Sequence, residues 1–223
     1  MLSLPKSTEF NRRIPKQKFY ENLSVTPELN RVFVDQISVL YWRNKLAATT
    51  LNVGQGERVT EVEIFEMKLN QPSIDTKVLQ LIDKEIPYHI LYLLEYHGEY
   101  QAWIGCKEPS ATKSDIFKVN SYYNTDWTTL DKLPLSMEGL HMDEIYDNFI
   151  RQIAGGRLVA KNGENAGTKS DIKEAIDLDY KRQKLNKQIA SLEIKIKSEK
   201  QFNKQVKLNT QLKTLKKELE DIK

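Results

Sequence analysis

The run PYHILYLLEY, Pro87 to Tyr96, constrains the fold more than any other stretch, because both of its alternating sets are apolar. Ile90, Tyr92 and Leu94 fall on one set and Leu91 and Leu93 on the other. A strand tolerates that only when both faces are covered, so this segment is expected in the interior of a sheet with a layer on each side. The residues before it supply one layer. Val78, Leu79, Ile82 and Ile86 recur at helical spacing between Asp75 and Ile86, and Pro87 forbids continuation. Earlier still, Arg58 to Leu69 alternates as a strand. Strand, helix and strand in this order predict a βαβ unit with parallel strands and a right-handed crossover.

The flanking segments extend the sheet. His97-Gly98 reads as a tight hairpin turn into EYQAWIGCKE, and a further strand is expected around Ile116 to Tyr123. SVLYWRNKL is expected as a strand, and Thr26-Pro27 as the cap and first position of a helix carrying Leu29, Val32, Phe33 and Ile37. A short helix is expected from Pro15, with Phe19 and Leu23 on one face. Glu144 to Ala154 reads as a helix with Ile145, Phe149, Ile150 and Ile153 inward and Gly155-Gly156 as its stop.

Beyond Gly155 the composition turns polar and glycine-rich, and then two leucine and isoleucine series follow at steps of three and four. Leu185, Ile189, Leu192 and Ile196 form the first; Leu208, Leu212, Leu215, Leu219 and Ile222 form the second, out of phase with it. With no Pro or Gly in this region, one long helix with a register break is expected in preference to a helical hairpin. The expected fold class is therefore α/β (α+β): a mixed-sheet domain with a βαβ unit and flanking helices over 1–155, a flexible polar linker over 156–171, and a long basic C-terminal helix or coiled coil over 172–223.

Charge is distributed unevenly. From Lys173 onward fourteen lysine and arginine side chains stand against eight acids, so the formal charge of +3 conceals a basic tail and a mildly acidic body. A single cysteine, Cys106, excludes an intramolecular disulfide, and three scattered histidines with it do not compose a zinc site. No apolar run approaches the roughly 18 residues that span a bilayer, and MLSLPKSTEF lacks the features of a secretory signal. A cytoplasmic protein is expected. Phosphate-binding glycine loops and the serine-hydrolase elbow do not occur.

Two constellations could carry chemistry. The strand EVEIFEMKL ends in Glu66-x-Lys68, the arrangement in which metal-dependent nucleases place a carboxylate that holds Mg²⁺ and a lysine that steadies the developing charge. Such a site wants a second carboxylate just upstream, where this chain offers Asn52, Val53 and Gly54. Asp35 or Glu9 would have to fold in from elsewhere, or a β-bulge near Ile64-Phe65 would have to bring Glu63 to the face of Glu66. The expected reading is a half-buried strand in which a bulge near Ile64-Phe65 keeps the apolar residues inward and leaves Glu66 and Lys68 solvated. The second constellation is RRIPKQKFY, where Arg12, Arg13, Lys16 and Lys18 interleave with Phe19 and Tyr20, a pattern suited to phosphates and unpaired bases and equally to a solvated helix face. His89 and Cys106 read as core residues, and no metal-ligating set is assigned.

Four segments, PKQKFY, IDKEIPYHILYLLEY, MEGLHMDEIYDNFIRQIAG and SEKQFNKQVKLNTQLKTLKKELE, together resemble the bacterial family known as domain of unknown function 4391. The resemblance implies a setting among DNA methyltransferases and helicases in restriction and phage-defence clusters, and no catalytic residues. The function expected is an accessory, non-catalytic interaction subunit of a restriction-modification or phage-defence system. Its partners would be proteins such as a DNA methyltransferase or helicase, with DNA a candidate ligand and oligomers formed through the tail. The alternative is a Mg²⁺-dependent DNA nuclease using Glu66 and Lys68. No cofactor is expected unless that alternative holds.

Overall fold

A computed structural model describes residues 4–18, 26–110, 113–158 and 169–222. The chain divides into two compact units, Met1–Gly155 and Gly156–Lys223. Among the described residues of the first unit six strands form one mixed sheet in the order β1-β2-β3-β4-β5-β6. The strands are β1 (Glu9–Ile14), β2 (Ile37–Ala47), β3 (Glu61–Leu69), β4 (His89–Tyr96), β5 (Glu99–Ser110) and β6 (Lys113–Asn124). Helices α1 (Pro27–Gln36), the single turn α2 (Ala48–Leu51), α3 (Thr76–Glu85) and α4 (Met142–Ala154) complete it.

The βαβ unit is present as β3-α3-β4. Its strands pair in parallel, Val62 against His89 through Lys68 against Glu95, while every other pairing in the sheet is antiparallel. Asp75 caps α3 by accepting from the Lys77 amide, and the helix stops at Glu85 just ahead of Pro87. α3 lays Val78, Leu79 and Ile82 on one face of the sheet with Phe33 of α1, against Phe65, Met67, Ile90, Tyr92 and Leu94. α4 takes the other face, where the Tyr146 ring meets His89 at 4.4 Å and its hydroxyl donates to the Gly105 carbonyl. β4 is thereby covered on both sides, with all residues from His89 to Leu94 buried.

Local chemistry explains the connections. His97 and Gly98 both take positive φ, 51° and 85°, as a two-residue hairpin between β4 and β5 demands. Ahead of β3, the amides of Glu57, Arg58 and Val59 all donate to the buried carboxylate of Asp143 at 2.9–3.1 Å, which ties the loop to the first turn of α4. Gly56 is required there, because a Cβ would lie 2.4 Å from Asp143 Oδ1.

Three expectations need correction. Residues 9–14, given no strand in the sequence reading, form the edge strand β1, and from Phe19 on the helix expected at Pro15 falls outside the described residues. The bulge is not in β3. It lies in β2, where Trp42 opposes Phe65 and Asn44 opposes Ile64, leaving Arg43 as the extra residue; β1 carries a matching irregularity at Asn11, φ 46°. The tail is not one helix. α5 (Lys169–Ser198) and α6 (Phe202–Glu220) are separate and antiparallel, joined by Arg182 donating to the Ile222 carbonyl at one end and Lys216 paired with Glu193 at 2.9 Å further along.

Side chains do at the hairpin turn what glycine or proline would otherwise do. Gln205 Nε2 donates to the Glu199 carbonyl at 2.7 Å, capping the end of α5, and Glu199 accepts from the Gln201 amide at 2.9 Å. The out-of-phase apolar series fit this geometry, since each can then line one helix of a pair. Leu185 and Ile189 are buried, and Leu208, Leu212, Leu215 and Leu219 are half-buried.

Leu93, 2 % exposed, tests the architecture. Leu93→Asp places an unpaired charge between two covered layers at a cost of several kcal/mol against a typical total stability of about 5–15 kcal/mol. The expected outcome is loss of cooperative unfolding by circular dichroism; a soluble, cooperatively melting variant would place β4 at an edge.

Candidate functional site on the central strands

Alternation puts Val62, Ile64, Glu66 and Lys68 on the α4 side of β3 and Glu61, Glu63, Phe65, Met67 and Leu69 on the α3 side. Because the β3–β4 register is unbroken, Glu63 and Glu66 stay on opposite faces. The bulge that could have united them sits in the neighbouring strand and acts on Arg43 instead.

Glu66 is not solvated, contrary to the non-catalytic reading considered above; it is 6 % exposed. Both of its oxygens accept from Arg43, Oε2 from Nε at 3.0 Å and Oε1 from Nη2 at 2.9 Å. This fork-to-fork geometry is the strongest form an arginine–carboxylate contact takes. Arg43 also lies over the Tyr41 ring at 4.3 Å and reaches Asn11 Oδ1 at 3.4 Å, so the paired bulges of β1 and β2 aim it. Lys68 is exposed and stands 3.7 Å from Glu95, its parallel partner on β4. Tyr100 of β5, the cross-strand neighbour of Glu95, completes the face. Burial, and after it the charges of Glu66 and Glu95, raise its hydroxyl above the ordinary value. The result is an alternating row, Arg43, Glu66, Lys68, Glu95, with no net charge.

The other carboxylate candidates lie elsewhere. Glu9 is exposed on β1 opposite Asn44, and Asp35 is exposed in α1, a helix packed on the face away from Glu66. Asn52 is the left-handed end of α2, and Gly54 pairs with the Leu140–His141 segment through Gly54 N–H to Leu140 O at 2.8 Å. Among the described residues no group of three or more His, Cys, Asp and Glu side chains is placed to hold a metal ion.

The N-terminal basic residues do not converge. Arg12 and Arg13 are successive on β1, and the Arg12 guanidinium stacks on Phe10 at 4.5 Å. Lys16 is spent on structure: its ammonium donates to the carbonyls of Val34, at 3.4 Å, and Ile37, at the end of α1. Lys18 is exposed, and Phe19 and Tyr20 lie outside the described residues.

Buried polar side chains lie under α3 and at the starts of β3 and β4, and of these Asp83 and Lys107 were not singled out from the sequence. Asp83 of α3 accepts from Tyr122 and sits 3.8 Å from Lys107 of β5, whose ammonium also donates to the carbonyls of Ile86 and, at 2.7 Å, Tyr88. Burial pushes Asp83 up to about 6 against the pull of Lys107, and pushes Lys107 down to about 8 against the pull of Asp83. His89 is held neutral, lowered to about 4 by burial and then by the charges of Lys107 and Arg58. Glu63 accepts from the Trp42 indole at 2.7 Å, while Oε1 meets no donor. Burial first, and the adjacent Glu61, raise its carboxyl to about 7 although the Trp42 bond opposes the shift. For Asp83 and Lys107 the sequence signal was a charge directly after apolar residues, in LQLID and WIGCK.

A family model described as Domain of unknown function (DUF4391) matches residues 2–219. No curated protein and no solved structure matches the chain.

Two measurements check the electrostatics. Arg43→Ala strands the Glu66 carboxylate, and with the arginine about a third exposed the expected loss is about 2 kcal/mol in urea unfolding, below the ~3–5 kcal/mol of a fully buried pair. The double variant Arg43→Met, Glu66→Gln should recover part of that loss. For Glu63, the folded state keeps a proton that the unfolded chain releases between about pH 4.5 and 7, so this group makes stability fall as pH rises through that window. Glu63→Gln lacks that proton. Its stability relative to the parent should therefore climb by about 1–3 kcal/mol from pH 4.5 to 7.5, and a flat difference would refute the shift.

Proposed function

We propose, for a chain that belongs to the domain of unknown function 4391 family, that it is a non-catalytic interaction subunit of a bacterial restriction-modification or phage-defence system, acting in the cytoplasm through partner proteins and DNA. The observation that carries the non-catalytic part is the two-point engagement of Glu66 by Arg43. A Mg²⁺ ion in a nuclease wants one or two free carboxylates in near-octahedral geometry, plus a cationic group left over for the scissile phosphate. Here both Glu66 oxygens are occupied by a guanidinium, whose charge also repels a divalent cation. Lys68 faces Glu95, so its charge is already balanced. Glu63, the nearest carboxylate on β3, faces the opposite side.

The defence setting rests on the family resemblance. Partners of the methyltransferase or helicase kind, and a second copy of the chain, have apolar surface to meet on the hairpin, where Ile194, Phe202 and Val206 are exposed at 68 %, 75 % and 49 %. No helix among the described residues is long and apolar enough to cross a membrane.

The test is cleavage. Purified protein incubated with plasmid and with single-stranded DNA in Mg²⁺ or Mn²⁺ should leave both intact. Metal-dependent cutting that disappears in Glu66→Ala and in Lys68→Ala, with circular dichroism unchanged, would establish the nuclease instead.

A further inference from the structure

We infer that Glu61 and Glu63, neighbours on the α3 face of β3, form a binding site for a small divalent cation of the Mg²⁺ or Mn²⁺ kind. They stand two residues apart on one strand, about 6.6 Å along it, so both side chains reach a common point above the sheet. Their carboxyls lie within hydrogen-bonding reach of each other, yet an ionised carboxylate only accepts. A proton or a cation has to stand between them.

Glu63 is the side chain that marks the site. It is 1 % exposed, and the Trp42 indole, donating to Oε2 at 2.7 Å, fixes the carboxyl while Oε1 meets no donor among the described residues. Phe10 packs on Trp42 at 4.1 Å and holds the indole in turn. Glu61 Oε2 is also buried, and the Lys45 ammonium 2.9 Å away answers its charge. Two carboxylates thus share one ammonium. Lys45 comes from β2, directly across from Glu63, and its side chain is 37 % exposed, so it can turn out into water and leave the carboxylates to an incoming ion. Two carboxylates and one divalent cation are together neutral, as a buried site requires.

The donor set selects the ion. Both donors are carboxylates, whereas Zn²⁺ favours histidine and cysteine. Ca²⁺ seeks about six to eight oxygens, while Mg²⁺ and Mn²⁺ are served by one or two carboxylates with water in the remaining positions. Those waters have access on the Glu61 side, where the side chain is 20 % exposed. An organic cation finds no comparable room beside a side chain as deeply buried as Glu63. An ion held here stitches β2 to the start of β3 on the face opposite Glu66, so it is independent of the interaction role proposed above.

The experiment is a Mn²⁺ titration of the chelator-treated full chain at about pH 8, where proton competition is weak. Bound ion is counted by electron paramagnetic resonance, and tryptophan emission is followed in parallel. One ion per chain is expected, displaced by Mg²⁺, with quenching of the emission that Trp42→Phe removes. Glu63→Gln and Glu61→Gln should each weaken binding at least about tenfold, and Trp42→Phe, which releases the Glu63 carboxyl, by about tenfold. Lys45→Gln should instead tighten it about two- to fivefold, the worth of a part-exposed ion pair that no longer has to be broken. Circular dichroism verifies that each variant is folded. The inference fails if the parent takes up no ion at millimolar Mn²⁺, if Glu63→Gln or Glu61→Gln binds like the parent, or if Lys45→Gln weakens binding. Loss of the ion in Glu66→Gln but not in Glu63→Gln would put it on the other face and overturn this site and the non-catalytic reading together. DNA cleavage that survives Glu63→Gln would overturn that reading alone.

Discussion

A parallel strand pair in the middle of a mixed sheet buries both of its faces, and this requirement shapes the first unit. Any polar side chain on β3 or β4 must find a partner without water, because an unpaired buried charge costs several kcal/mol. Each such residue has met that demand differently. Glu66 is matched by a guanidinium, Glu63 takes an indole N–H while burial raises its carboxyl to about 7, and His89, packed on the Tyr146 ring, is held neutral by burial. Under α3, Asp83 and Lys107 both shift toward neutrality while holding a partner, the signature of a pair whose attraction does not fully offset its desolvation.

The same constraint links the sheet edge to the candidate site. A regular β2 would alternate Trp42 and Asn44 onto one face; with Arg43 as an extra residue Asn44 instead opposes Ile64 on the α4 side, so Arg43 is an added side chain beside Tyr41 and Asn44 that serves Glu66, while Trp42 serves Glu63 on the α3 side. The irregularity of β1 at Asn11 follows the one in β2 and supplies a further acceptor to Arg43. Two bulges at one level of the sheet therefore set the charge balance around Glu66 on β3.

What the sequence disclosed was what periodicity controls. The doubly apolar run Pro87–Tyr96, the α3 stripe and the His97-Gly98 turn determined the βαβ unit and the hairpin, since each depends on residues close in the chain. The candidate pair on β3 was visible, but its partner was not. Arg43 and Glu66 are 23 residues apart, and their meeting depends on a one-residue bulge that leaves no compositional mark in YWRNK. β1 was hidden for a related reason: EFNRRI is polar, and as an edge strand with a left-handed Asn11 it lacks the alternation that marks a buried strand. The hairpin turn was hidden because side chains, Glu199 and Gln205, replace the Gly or Pro that would announce a break. The phase mismatch between the two leucine series was the available signal, and it fits a chain folding back more naturally than a helix carrying two seams on different sides.

The two units handle charge in opposite ways, and that contrast bears on function. In the first, the prominent carboxylates and cations near the central strands are consumed by one another: Arg43 by Glu66, Lys107 by Asp83, Lys45 by Glu61 at 2.9 Å, Arg58 by Asp147 at 2.9 Å. Charges so matched stabilise a fold and, Glu63 Oε1 beside Glu61 excepted, have little left for a ligand. At the hairpin turn Lys195, Lys200, Lys204 and Lys207 share one concavity with a single acid, Glu199, an arrangement that costs repulsion. Self-repulsion of that kind is relieved when an anion enters. The sheet thus holds its prominent charges in matched pairs, whereas the turn of the hairpin gathers lysines around a single acid.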